Sequence, residues 1–263
     1  MERKSLLKKL IVFMLIMSFI ALAFMFLNTY LSERNKTYID VDNMKLIQLD
    51  EPKDGDTVAI IDTSLGEVRA VLYPDEAPQA VKNFTELAES GYYDNTYVFH
   101  SEEGVYAAAG AKLKDGTMPD GYDTQRELVE RELSQNLWPF KGALIVLNTT
   151  AEGGFFDKLL GDVTYYNGSR FALLNSIEFT DEIISGLRES SESRILADAF
   201  IENGGVPNFS QQMTVIGQTY QGFDVIEKLS SLETESSGND TYKIPKEDIM
   251  IKSVTIEKYS AED

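Results

Sequence analysis

Two apolar runs at the start of the acidic body set the terms for the fold. Residues 57–62 and 67–73 are separated by Ser64-Leu65-Gly66 and alternate, with Val58 and Ile60 in the first and Val68, Ala70 and Leu72 in the second. Successive side chains of a strand point to opposite faces, so a period of two marks a half-buried strand, and two such runs joined by a short glycine-containing turn read as a β-hairpin. The period then changes. Pro74-Asp75-Glu76-Ala77-Pro78 breaks the strand and opens a helix, because proline in a first helical turn gives up an N–H that has no intrahelical partner. Val81, Phe84, Leu87 and Ala88 share one helical face as core, and Ser90-Gly91 ends the helix. Further on, residues 143–147 form an apolar run suited to a buried strand, and Phe223, Ile226 and Leu229 fall at helical spacing. Ile249, Ile251, Val254 and Ile256 predict a closing strand with a bulge near Ser253.

Ahead of this body, residues 10–32 carry no charge, and residues 10–27 are almost wholly apolar. That is about the 20 residues a helix needs to cross a bilayer. Arg3, Lys4, Lys8 and Lys9 precede the run, which predicts a cytoplasmic start (1–9), an anchor (10–32) and a body outside the membrane. The competing reading is a signal peptide cleaved near Ala23, which would leave the body secreted; Phe24-Met25-Phe26-Leu27 continues the apolar run past that site and favours the anchor. Residues 33–55, polar and ending near Pro52 and Gly55, read as a linker.

Charge is divided unevenly. Residues 1–36 hold six basic and two acidic groups, leaving 24 − 6 = 18 basic against 43 − 2 = 41 acidic in the remainder, a net of −23. Such a body repels nucleic acid. With no cysteine and one histidine, disulfides, thiolate metal sites and histidine-based metal sites are excluded as readings.

Several segments, taken in order, carry a resemblance. They are Thr63-Ser64-Leu65-Gly66-Glu67, Tyr73-Pro74-Asp75-Glu76-Ala77-Pro78, and Val81-Lys82-Asn83-Phe84 through Ser90-Gly91-Tyr92-Tyr93-Asp94. Phe140-Lys141-Gly142-Ala143-Leu144 with Asn148, Asn167-Gly168-Ser169-Arg170-Phe171, Gly204-Gly205-Val206-Pro207, Thr214-Val215-Ile216-Gly217-Gln218 and Gly222-Phe223-Asp224-Val225-Ile226 continue it. Together they resemble the cyclophilin-type peptidyl-prolyl cis-trans isomerases across residues 56–258, leaving 259–263 as a tail. The resemblance implies a mainly β fold, a closed eight-stranded antiparallel barrel capped by helices. It implies no cofactor, and as partners exported or envelope polypeptides, beside the membrane reached through the amino-terminal helix. Two regions, 149–166 and 175–203, are longer than the family needs. Ile183, Ile184, Leu187, Ile195, Leu196 and Phe200 predict one or two added helices in the second.

The family's reaction breaks no bond. Amide resonance sets a barrier of about 20 kcal/mol to prolyl rotation, and a catalyst has only to bind the twisted amide better than either planar form. As the resemblance implies, an arginine favours a pyramidal prolyl nitrogen, an apolar pocket takes the ring, and a glutamine and an asparagine backbone hold the peptide. The family reads Phe-His-Arg, two or three residues, then Gly-Phe-Met-Xaa-Gln-Gly-Gly; this chain reads Phe99-His100-Ser101-Glu102-Glu103-Gly104-Val105-Tyr106-Ala107-Ala108-Ala109-Gly110. Matching Phe-His directly puts Ser101 at the arginine position. The gapless register puts His100 there and is preferred, because a one-residue slip turns every strand side chain to the wrong face.

In that register Val105 stands for the pocket phenylalanine and Ala108 for the glutamine, while Leu147 precedes a retained Asn148. Arg170 replaces the glutamine of Asn-Gly-Ser-Gln, Phe171 is kept, and Ala172 replaces the second phenylalanine. Asn208, Phe209 and Met213 stand where the family has tryptophan or histidine, leucine, and histidine or tyrosine. Trp138 falls in another loop. His100 and Arg170 are thus the candidate donors, and the other positions line a rewritten groove. Three readings follow: an isomerase of altered design, a non-catalytic peptide-binding or folding-assistance module, and a scaffold docking an envelope partner through its added helices.

Overall fold

A computed structural model describes residues 39–117 except 41–42, 129–150, 164–191, 193–236 and 242–261, with a few single positions before residue 39. These fall almost entirely in one compact unit, residues 39–151 and 165–263; the other unit comprises residues 1–38 and 152–164. Most of the expected anchor, the start of the linker, and Phe155, Phe156, Leu159 and Leu160 of the first insertion lie outside the described residues. Among the described residues no helix is long and apolar enough to cross a membrane.

The hairpin forms as expected, but its first strand turns the other face inward. β1 (Thr57–Thr63) and β2 (Gly66–Leu72) pair with Ala59 opposite Ala70 and Ile61 opposite Val68. Those four are fully buried in the main core, whereas Ile60, opposite Arg69, is half-exposed. The chain continues through β3 (Thr96–Glu102), β4 (Tyr106–Ala111), the short β5 (Val129–Glu130), β6 (Ala143–Thr150), β7 (Tyr165–Leu174), β8 (Thr214–Gln221), β9 (Thr234–Ser236), β10 (Lys243–Pro245) and β11 (Met250–Lys258). The sheet order is β4-β3-β11-β1-β2-β8-β6-β7, and a β4–β7 pairing closes it into an eight-stranded antiparallel barrel. β5 adds to the free side of β7, and β9 pairs with β10 in a separate ribbon. In β11 the ladder passes over Lys252, since Asp62 faces Ser253 and Thr63 faces Ile251. That bulge lets Ile251 and Val254, three residues apart, both enter the core.

Four helices accompany the described strands. α1 (Pro78–Glu89) buries Ala80, Val81, Phe84, Leu87 and Ala88, the face its periodicity predicts. α4 (Phe223–Leu229) buries Val225, Ile226 and Leu229 in the same core. It sits against the β1–β2 turn, where a Cβ on Gly66 would come within 2.8 Å of Val225. The second insertion folds as two helices, α2 (Asp181–Ser190) and α3 (Arg194–Asn203), capped by the Thr180 and Ser193 side chains. α3 docks through Phe200, whose ring lies 4.7 Å from Phe140 in a cluster with Trp138. α2 has no fully buried residue, and Arg188 pairs with Asp198 of α3 at 3.1 Å.

The linker reading meets a different structure from residue 39 on. Ile39, Met44 and Leu46 pack against the Trp138–Phe200 cluster. Gln48 is buried, with its amide nitrogen donating to the Trp138 carbonyl at 2.9 Å and to Gln218 Oε1 at 2.8 Å, and its oxygen accepting the Trp138 N–H. A polar stretch that finds buried partners for its amide is fixed, not a free tether. Replacing Gln48 with alanine strands the Trp138 N–H, and should lower unfolding stability by about 1–3 kcal/mol. Urea denaturation measures this; an unshifted midpoint would mean the arm is undocked in solution.

Candidate functional site

Alternate residues of β4, β6, β7 and β8 divide between two apolar clusters. Ala107, Ala109, Leu144, Val146, Phe171, Leu173 and Ile216 face the barrel interior. Ala108, Ala111, Ala143, Ile145, Ala172, Leu174 and Val215 face outward and build a second cluster. Phe99 belongs to this outer cluster and its neighbour Val98 points inward, as strand alternation requires. A bulge follows in β3: Val98 faces Ala109 and His100 faces Ala108, leaving Phe99 without an opposite residue. An inserted strand residue lets two consecutive side chains share a face, and Phe99 and His100 do so.

Most predicted groove positions gather on this outer face. Ala108 and Ala172 form its buried floor, and Val105, Leu147, Phe209 and Met213 are half-buried around it. Asn148, at the same edge, donates from Nδ2 to the Gln212 carbonyl at 2.8 Å, while its buried Oδ1 has no partner. Asn208 is exposed in the 3-10 turn Pro207–Phe209, and its carbonyl accepts from Gln212. Phe171 corrects the reading. It is fully buried inside the barrel, edge-on to Phe84 and Tyr93 at 5.7 and 5.3 Å, because residues 171 and 172 necessarily face opposite sides of β7. It supports the wall and does not line the groove.

The two candidate donors differ: Arg170 donates two hydrogen bonds, whereas His100 is buried with only its acceptor nitrogen bonded. His100 is 6% exposed, and its Nδ1 accepts the backbone N–H of Lys243 at 2.9 Å. The neutral ring therefore carries its proton on Nε2. That atom is buried without a hydrogen-bond partner, with Glu102 Oε2 3.8 Å away. The ring stacks on Tyr106 at 5.0 Å and meets Tyr242 at 6.0 Å. Burial pushes the His100 pKa below the usual imidazole value; the Glu102 carboxylate opposes this and the Lys243 ammonium adds to it. Arg170 donates from one guanidinium nitrogen to the Gly116 carbonyl at 2.7 Å and to the Tyr242 hydroxyl at 3.2 Å, and lies 5.5 Å from the Phe99 ring centre. Gly116 must be glycine there: its φ is +80°, and a Cβ would meet Phe99 at 2.5 Å.

Rings complete the surface. Tyr106 contacts Phe209 at 5.7 Å, and Tyr242 contacts Phe99 at 5.0 Å. Tyr106, Tyr242, Lys243 and Glu102 are residues that sequence reasoning missed. Tyr106 had a signal, since it lies two positions before Ala108 and so on the same face. Tyr242 and Lys243 arrive from the β9–β10 ribbon, which no local periodicity announces. The site is thus an aromatic, largely uncharged surface, bounded on one side by Arg170 and on another by the 207–213 loop.

Because the folded-state pKa of His100 lies below the unfolded value near 6.5, the unfolded chain binds more protons in the window between them. Stability from this group is complete above about pH 6.5 and is lost as pH falls through that window. The unsubstituted chain should lose stability relative to His100→Gln between about pH 7.5 and 5, by at most about 1.4 kcal/mol per pH unit. Paired denaturation curves read this, and the opposite slope would mean that Glu102 holds a charged imidazolium.

Known proteins give a context for this geometry. Residues 58–256 match the family model described as cyclophilin type peptidyl-prolyl cis-trans isomerase/CLD. A Streptococcus pyogenes protein provisionally named a bifunctional phosphatase/peptidyl-prolyl cis-trans isomerase is 30% identical over 198 residues, spanning 74% of this chain and 38% of that protein. A Staphylococcus aureus protein provisionally named a peptidyl-prolyl cis-trans isomerase is 28% identical over 208 residues, 79% of this chain and 95% of its own. The fold is similar to the crystal structure of a cyclophilin-type isomerase from Cryptosporidium parvum, with a TM-score of 0.53, 21% identity, and coverage of 78% of this chain and 99% of that one.

Proposed function

We propose that this chain, which belongs to the cyclophilin-type peptidyl-prolyl cis-trans isomerase family, is a membrane-anchored extracytoplasmic domain that holds proline-containing segments of exported polypeptides and isomerises them weakly or not at all. One observation carries the reading. His100, which the gapless register sets at the family's arginine position, is buried with one nitrogen committed to the Lys243 N–H and its ring against Tyr106. Its donor nitrogen, Nε2, is itself buried, which withholds it from a prolyl nitrogen in the groove. Arg170, the other candidate, is bonded to Gly116 and Tyr242.

Binding needs less than catalysis. Rotation is accelerated only by contacts stronger in the twisted state than in the planar one. Loss of one positioned donor costs roughly 3–4 kcal/mol of such stabilisation elsewhere. An extended peptide is held instead by apolar contact and backbone hydrogen bonds, for which Leu147, Phe209 and Met213 offer half-exposed apolar surface beside the Asn148 backbone. The extracytoplasmic site of action rests on residues 10–32 and the basic groups before them.

In a protease-free assay of prolyl isomerisation the purified protein should give a rate indistinguishable from buffer, while proline peptides shift the NMR signals of Asn148 and Leu147. A rate well above buffer that falls in both His100→Ala and Arg170→Ala would sink the non-catalytic reading. Fractionation should place the chain in the membrane pellet, with the body digested by protease added from outside; recovery in the soluble fraction would refute the anchor.

A further inference from the structure

Arg170 keeps one edge of its guanidinium open. Its Nη1 donates to the Gly116 carbonyl at 2.7 Å and to the Tyr242 hydroxyl at 3.2 Å, which uses both hydrogens of that nitrogen. A guanidinium has five N–H donors, so one hydrogen on Nε and two on Nη2 are left. Arg170 as a whole is half-buried, yet neither Nε nor Nη2 is a buried atom without a partner, so this edge meets solvent. Among the described residues no carboxylate pairs with it. Lys243, on the same face of the barrel, is instead paired with Glu102 at 2.7 Å.

The open edge has a definite chemistry. Nε and Nη2 lie side by side in the guanidinium plane, and two of their hydrogens point the same way. That fork matches the two oxygens of a carboxylate, which accept a parallel pair of N–H···O bonds. A prolyl nitrogen takes at most one of them. The opposite edge is fixed by the Gly116 carbonyl, and the guanidinium carbon lies 5.5 Å from the Phe99 ring centre. The fork is therefore in place before a ligand arrives, which lowers the ordering cost of binding.

Its position borders the groove. The contact with Phe99 sets Arg170 on the outer face, where Ala172, two residues on, forms part of the floor. The β6–β7 ladder steps from Val146–Phe171 to Asn148–Asn167, which leaves Leu147 beside residues 168–170. A Cβ on Gly168 would lie 3.1 Å from the Leu147 carbonyl oxygen and 4.0 Å from the Arg170 backbone nitrogen. We propose that Arg170 is a specificity-determining residue, whose Nε and Nη2 receive the carboxylate of an aspartate or glutamate close to the proline of the held polypeptide. The proposal deepens the peptide-holding reading and rests on it for the class of ligand. It assigns to this guanidinium the selection of an acidic neighbour, not the twisting of the prolyl bond.

The full chain would be titrated with labelled, end-capped peptides of serine and glycine around a central alanyl-proline. Each carries glutamate or glutamine at one of the two positions on either side, and fluorescence anisotropy reads the affinity. At one of these positions the glutamate peptide should bind about fivefold tighter than its glutamine counterpart, the upper range for a bidentate pair at a part-exposed site. The chain carries a formal charge of −19, so general attraction does not mimic this preference. Arg170→Gln, which supplies the residue type of the Asn-Gly-Ser-Gln segment, should abolish the difference and keep the affinity for the glutamine peptide. Lys82→Gln, exposed on α1, makes the same change in net charge and should leave the difference intact. Equal affinity for the two peptides at every position, or a difference that survives Arg170→Gln, would overturn the proposal and leave peptide holding in place. Binding of neither peptide would overturn both.

Discussion

Closure of this barrel depends on a strand with very little side chain. β4 pairs with β3 on one edge and β7 on the other, and its side chains are buried on both faces. Its sequence allows that: after Tyr106 come Ala107, Ala108, Ala109, Gly110 and Ala111. Ala107 and Ala109 face a core containing Phe84, Tyr93 and Phe171, and at Gly110 a Cβ would already lie 3.2 Å from the Tyr93 ring and 3.4 Å from Phe171. Outside, Ala108 and Ala111 share a cluster with Phe99, Tyr106 and Tyr242. Extra methylenes in so full a wall typically cost about 1–3 kcal/mol. The wall is thin because rings press on it from both sides.

That constraint shapes the outer face. A strand of alanines leaves a shallow floor, which other elements fill. Phe99 and His100 come from the bulged β3, Tyr106 from the start of β4, Phe209 from the loop before β8, and Tyr242 with the Lys243 N–H from the β9–β10 ribbon. The filling surrounds His100, whose Nδ1 accepts the Lys243 N–H, and Arg170, which donates to the Tyr242 hydroxyl. What stays half-exposed lies towards the β6 edge, at Leu147, Asn148, Phe209 and Met213. The surface left there is mainly apolar, with the Asn148 amide at its edge.

The elements themselves were legible where period and punctuation agreed. The β1–β2 hairpin, α1 after its prolines, the closing strand and its bulge all follow from spacing. Facing was less legible. In β1 the residues Val58, Ala59, Ile60 and Ile61 are all apolar, so alternation alone does not choose the inner face; the partner strand, where Val68 and Ala70 alternate with charged residues, decides the face through its register. The same ambiguity lay behind the two alignments of residues 98–100. The gapless alignment assumed an unbroken ladder, whereas β3 carries a bulge at Phe99. Phe171 could have been excluded from the groove once Ala172 was placed there, because neighbours in a strand do not share a face without a bulge. The contributions of Tyr242, Lys243 and Gln48 depend on contacts 72 to 170 residues away along the chain, which local pattern does not encode.

Trp138 explains why the arm and the added helices belong to one structure. The Gln48 amide satisfies both the N–H and the carbonyl of Trp138, and reaches Gln218 of β8 with its second hydrogen. Ile39, Met44 and Leu46 pack on the same cluster as Phe200 of α3 and Leu187 of α2. A pair of helices whose first member buries no residue fully does not hold itself together. Its stability comes from an aromatic platform that the barrel, the insertion and the arm each complete in part. The insertion is therefore not a module set beside a finished domain. Its position is set jointly by the barrel residues Trp138 and Phe140 and by Ile39, Met44 and Leu46, which lead into the barrel.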